Sequence, residues 1–183
     1  MAIVYKDCDA GEAALVYTCD PCLIPEMGRV RSIMLIKKGT NVTVPLDLTT
    51  FTASVNAGDI IIIPETIGSF DGGTPVVVPG YGDIKERKSG DNYVLAIKDP
   101  HYASNTDFWA EAEKPVWNIG FRSETQLHVV TNDVTVTAKA PIEEDLESTV
   151  VWNVEAKWFS KTKPAVTPVS VIATLLKCFE ITA

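Results

Sequence analysis

The chain has 183 residues, 46% of them hydrophobic, and carries a net charge of −8 from 16 basic and 24 acidic side chains. That length buries one sizeable core or at most two small ones, so one domain is the default. The acidic balance disfavours adhesion to nucleic-acid backbones or anionic lipid, and no segment approaches the roughly 20 apolar residues of a membrane helix.

Residues 1–28 form a cysteine-bearing segment with weak periodicity, interrupted by Pro21 and Pro25, and are expected to pack on a β-rich domain spanning 29–183. Its first residues lack the apolar core of a signal peptide, so synthesis in a cytoplasm is expected. From Arg29 the pattern turns to strand. Val30, Ser32, Met34 and Ile36 face one way and Arg31, Ile33, Leu35 and Lys37 the other, which predicts a strand covered on both sides in its middle. A turn at 38–41 precedes a short strand at 42–44. Gly58-Asp59 leads into Ile60, Ile61, Ile62 and Ile63, a buried strand that Pro64 ends by withholding a backbone donor.

Glycines and prolines crowd 68–83 around Val76-Val77-Val78, predicting a long connection with one short strand at most. Long connections in compact domains are usually disordered or functional, so this one is the expected contact arm, with Val76, Val77, Val78 and Tyr81 as its interface residues. Lys85-Glu86-Arg87-Lys88 is the densest basic patch, and the acid within it marks it as a solvated turn flank. Residues 89–92 read as a turn into a strand at 93–98. A helix follows over 105–113, capped by Asn105 or Thr106 and limited by Pro115. Strands are predicted at 117–122, 126–131 and 135–139, with a turn at Asn132-Asp133, and an acidic loop at 143–147. Next, Val150, Trp152, Val154, Ala156 and Trp158 share one face while Asn153, Glu155 and Lys157 share the other, the pattern of a half-buried antiparallel strand. A last strand is predicted within 169–179. The fold expected is a mainly β, antiparallel sandwich or related two-layer arrangement with one short helix.

Chemistry-bearing residues are sparse. Cys19-Asp20-Pro21-Cys22 has the spacing of a zinc knuckle, and Cys8 and Cys178 complete four sulfurs only if the termini meet. Free thiols, a structural zinc and a disulfide or redox pair are the three readings, and beyond that zinc no cofactor is expected. His101 is placed in a loop and His128 on a strand, with no nucleophile-elbow motif to recruit either. Trp152 and Trp158 fit a core face, and Trp109 and Trp117 are placed to fasten helix against sheet. No catalytic residue is assigned.

Taken together, Gly28-Arg29-Val30-Arg31-Ser32-Ile33, Gly58-Asp59-Ile60-Ile61-Ile62-Ile63-Pro64-Glu65-Thr66, Gly80-Tyr81-Gly82-Asp83, Lys98-Asp99-Pro100-His101-Tyr102, Phe121-Arg122-Ser123-Glu124-Thr125 and the strand at 150–158 resemble a family of virion structural proteins from tailed phages of gut Bacteroidetes, the crAss-like group. The resemblance runs over nearly the whole chain and consists of general pattern rather than a diagnostic motif. It implies a non-enzymatic component of the phage neck or tail, one copy within a symmetric ring, with a capsid accessory protein as the neighbouring alternative. The partners it implies are further copies and other neck, portal or tail proteins, in a virion assembled in the host cytoplasm. The competing classes are a carbohydrate- or surface-binding β module, which an exposed coplanar tryptophan pair would favour, and a small hydrolase, which a hydrogen-bonded His128 facing a cleft nucleophile would favour.

Overall fold

The computed structural model describes residues 29–42, 47–64, 66–80, 82, 86–142 and 149–168. Among them the elements run β1 Ser32–Lys37, α1 Leu48–Asn56, β2 Ile60–Ile63, β3 Ile67–Phe70, β4 Thr74–Pro79, β5 Glu86–Asp99, α2 Thr106–Ala112, β6 Trp117–Arg122, β7 Gln126–Val129, β8 Thr135–Lys139, β9 Trp152–Ser160 and β10 Ala165–Pro168. The strands pair antiparallel into a back sheet, β10-β7-β6-β1-β2, and a front sheet, β3-β5-β9-β8, with β4 also on β5. The result is the mainly β, sandwich-like two-layer arrangement that the alternating strands predict.

The main core lies between the layers, where Ile33, Leu35, Ile119 and Phe121 of the back sheet meet Leu95, Ile97, Val154, Ala156 and Trp158 of the front sheet. The predicted alternation of β9 is observed: Val154, Ala156 and Trp158 are buried while Glu155 and Lys157 are exposed. In β1 five consecutive residues are buried, because its two faces feed different cores. Ile33 and Leu35 enter the main core, and Met34 and Ile36 enter a second one with Phe51, Ile60, Leu127 and Val129. The isoleucines of β2 split the same way, Ile61 and Ile63 against the main core and Ile60 and Ile62 against the second. Since β2 is an edge strand, only Ile60 is fully buried.

That second core is closed by α1, so the expectation of one helix is corrected to two short ones. The segment from Leu48 to Asn56 is rich in Thr and Val, whose branched Cβ atoms lower helix propensity, and it carries little signal of its own. What holds it is the Asp47 cap, whose Oδ2 accepts from Thr50 N at 3.1 Å and from the Thr50 hydroxyl at 2.6 Å, together with burial of Phe51. The Thr50 hydroxyl and N–H hold the Asp47 carboxyl below its ordinary value.

The expected long connection over 68–83 is also corrected. Residues 67–70 and 74–79 are strands, laid end to end along the single strand β5. At the bend between them Asp71 stands in for the missing ladder: its N–H donates to Val94 O at 3.1 Å, and its Oδ1 accepts from Val94 N and Gly73 N, each at 3.0 Å. The turn expected at 89–92 is instead interior to β5. Its Ser-Gly pair marks an irregularity, where Val76 pairs with Gly90 and Val77 with Lys88, leaving Ser89 with no residue opposite. Gly90 is required by a close approach, because a Cβ there would lie 2.6 Å from Phe159 Cζ and 2.9 Å from Ser160 O. Gly90→Val is therefore expected to destabilise the fold by about 1–3 kcal/mol in urea titration, and an unchanged midpoint would show that Phe159 swings aside freely.

The expected strand at 42–44 falls partly, and that within 169–179 wholly, outside the described residues. A short strand that the sequence reading missed, β10, pairs with β7 and ends at Pro168.

Candidate functional site

Among the described residues the front sheet narrows at the end where β5 begins. β9 stops at Ser160 opposite Asp91, whereas β4 continues pairing with β5 down to Pro79 opposite Glu86. Among the described residues, 86–90 therefore pair with β4 alone. At about 3.4 Å per residue this two-stranded ribbon extends roughly 15 Å past the end of β9. It is an arm, though built from β4 and the start of β5 rather than from an irregular 68–83 loop.

Each face of the arm carries apolar surface. Val77 is 56% exposed on one face, while Val76 and Val78, by the period of two, share the other. That second face is continuous with the outside of the front sheet. There Phe159, 43% exposed, lies over Gly90, which is paired with Val76. Val76, Val78 and Phe159 thus form an apolar strip from the sheet onto the arm.

Among the described residues no strand pairs with the other edge of β4, and that edge is guarded. Pro75 and Pro79 cannot donate to a neighbour, and a proline fits a paired strand only with its nitrogen turned to the open side. Residues 75, 77 and 79 then direct their main chain outward, and Val77 alone among them retains an N–H. Such an edge is a poor template for strand addition, so the arm offers side chains rather than backbone.

Its root is pinned by polar groups. Asp91, buried, is 2.7 Å from Lys88 Nζ and accepts from the Tyr93 hydroxyl at 3.4 Å. Burial first, and the Asp91 charge second, push the Tyr93 hydroxyl above its ordinary value. Tyr93 also stacks on Trp158, with ring centroids 5.4 Å apart, so the ribbon is anchored in the main core.

Val76, Val77 and Val78, the residues expected at an interface, lie on β4 within this arm, Val77 on one face and Val76 and Val78 on the other. Phe159 was missed because it sits at the polar parity of β9, with Glu155 and Lys157. An aromatic at a solvent-facing position of a regular strand was the available signal. Tyr81 and the proposed zinc ligands Cys8, Cys19, Cys22 and Cys178 lie outside the described residues. Among the described residues no three His, Cys, Asp or Glu side chains are grouped to hold a metal, and no helix is long and apolar enough to cross a membrane.

The remaining candidates make hydrogen-bond and packing contacts within the fold. His101, 62% exposed, sits 3.0 Å from the buried Asp99 carboxylate, but that carboxylate also accepts from Asn105 at 2.8 Å and from the Trp109 indole at 2.9 Å. His128 lies flat on Phe121, centroids 4.5 Å apart at 3°. Trp109 and Trp158 are buried, and the half-buried Trp152 donates its indole N–H to Tyr102 O at 3.2 Å. These tryptophans are packing groups and do not make the exposed coplanar pair that would favour a sugar-binding module. Comparison with family models, curated proteins and solved structures gives no match for this chain.

Proposed function

We propose that this chain is a non-enzymatic virion structural protein, one copy of a symmetric ring in the neck or tail of a tailed phage. The observation that carries the reading is the ribbon that continues past the end of β9, with Val76, Val77 and Val78 on its β4 strand and its edge closed by prolines. An exposed apolar surface on a pinned arm has the form of a docking element, and apolar patches of that kind mark interaction sites. A ring requires one surface of each copy to fit a different surface on the next, and an arm on one side of a sandwich supplies the asymmetry. The resemblance to phage virion proteins supports the same assignment. Its implied partners are other copies and the adjoining portal or tail proteins, and its implied place is the particle.

Electron microscopy of intact particles tests this, with density for several symmetry-related copies at the neck or tail expected. Density in the shell instead would favour a capsid accessory role. Absence from purified particles, with abundant soluble protein in infected cells, would defeat the structural reading. A second test changes the arm itself. Val76→Asp with Val78→Asp should alter stability by only about 0.5 kcal/mol per site, because the ribbon lies outside the core. Incorporation into particles, read by quantitative immunoblotting, should fall about tenfold or more, in line with the loss of a buried apolar contact. Normal incorporation would remove the arm from the interface.

A further inference from the structure

The outside of the front sheet differs in charge from the rest of the molecule. Over β9, β8 and residues 91–99 of β5, away from the arm, its exposed charged residues are Lys98, Lys139, Lys157 and Glu155, a surplus of two positive charges. Setting those four aside leaves thirteen basic and twenty-three acidic side chains of the chain's sixteen and twenty-four, a balance of −10. Lys98 and Lys139 both pair in register with Asn153, so they flank it on one rung, roughly 10 Å apart at the usual strand spacing. Two grooves run beside this rung. One, about 610 Å³, is lined by Thr137, Lys139, Ala140, Pro141, Asn153 and Glu155. The other, about 420 Å³, includes Ile67, Ser69, Ala96 and Lys98 and shares the Asn153 and Glu155 wall.

This face is ill suited to pairing with itself, since a twofold contact would set lysines against lysines. It fits an acidic chain segment with an apolar residue to fill either groove, against Ile67 and Ala96 in the one or Ala140 and Pro141 in the other. The densest acidic stretch of the sequence has that composition: Glu143, Glu144, Asp145 and Glu147 surround Leu146. The flanking residues Ile142, 73% exposed, and Thr149, also exposed, join that stretch to the body without burial of their own.

We infer that the outer face of the front sheet receives the acidic run 143–147 of a second copy of this chain. The inference rests on the assembly reading and deepens it by naming the two surfaces that meet. Because the two surfaces are different, each copy can offer its run to one neighbour and its face to another, the head-to-tail contact that a ring requires. Charge pairing at such a surface sets register and is weakened by salt.

The test uses full-length chains and a synthetic peptide of residues 141–149. One chain has its run neutralised by Glu143→Gln, Glu144→Gln, Asp145→Asn and Glu147→Gln, and the other has its face reversed by Lys98→Glu and Lys139→Glu. Lys98→Gln with Lys139→Gln is the milder pair should the reversal disturb folding, which the melting curve reports. The peptide should bind the run-neutralised chain, about tenfold more weakly when salt rises from about 50 to about 500 mM, and about tenfold more weakly again once the two lysines are changed. Native mass spectrometry of the two variant chains mixed should show a 1:1 complex that neither forms alone. Peptide binding indifferent to the lysines, or a mixture that stays monomeric, would overturn the inference. The two readings fail separately. A lysine-reversed chain that enters particles normally would sink this interface and leave the ring, whereas complementation by a protein absent from particles would sink the virion assignment and leave the interface.

Discussion

Val154→Lys should abolish or nearly abolish the folded state, while Glu155→Lys, one residue along, should leave urea unfolding almost unchanged. Val154 is 1% exposed and is held from both sides, opposite Ile97 on β5 and Ala138 on β8. Lysine there either buries an ammonium among Leu95, Ile97 and Trp158 or forces β9 away from its neighbours. Either route costs about 4–5 kcal/mol or more, against a total of about 5–15 for a domain of this kind. Glu155 points to water, and its ion pair with Lys157, 2.6 Å apart, is of the exposed class that contributes little. Equal losses in the two variants would mean that the faces of β9 are assigned the wrong way round.

That pair of residues also shows which parts of the fold are legible in sequence. A strand with one face in the core and one in water writes its register into the chain, which is why β9 and β8 can be read directly. Strand β1 is legible for a related reason, since apolar residues at both parities require cover on both faces. The helix that provides part of that cover is not legible: α1 is composed of residues that favour strands, and a side-chain cap plus burial of Phe51 outweigh their propensity. Gly and Pro misled in the 68–92 region. There they mark a bend, an irregularity and a guarded edge within paired strands, and nothing in a local window distinguishes those from loops. Only a long-range partner decides, in this case Phe159 seated on Gly90. The candidate surface follows the same logic. Val76, Val77 and Val78 are visible as an apolar run among turn residues, but the strip they form with Phe159 joins positions about eighty residues apart, and only the β4-β5-β9 pairing brings them together.

Asp99→Ala should cost about 3–5 kcal/mol, because one buried carboxylate organises the whole crossing from β5 to α2. Its side chain is 2% exposed. Oδ1 accepts from His101 N at 2.9 Å, closing the turn at Pro100, and Oδ2 accepts from Asn105 and from the indole of Trp109, itself 1% exposed. Alanine would strand the indole N–H in the core, where an unmet donor is expensive. Trp109→Phe removes that donor and keeps most of the ring, so Asp99→Ala should cost less in the Trp109→Phe background. A double-mutant cycle in urea measures the coupling directly, and additive losses would show that the indole bond is not the link. The same group predicts a pH dependence. Burial pushes the Asp99 carboxyl up, but the donors from His101 N, Asn105, Trp109 and the His101 ring together outweigh it and hold the carboxyl below its ordinary value. In the unfolded chain Asp99 titrates near the usual value of about 3.9, so as pH falls the unfolded state takes up the proton first. The stabilisation is therefore complete above about pH 4 and is lost progressively as pH drops through the lowered folded value. Because Asp47 and Glu155 are also held low, the diagnostic quantity is the difference between wild type and Asp99→Ala. That difference should shrink on acidification below about pH 4, and a gap that stays constant would mean that Asp99 is not held as a carboxylate by these donors.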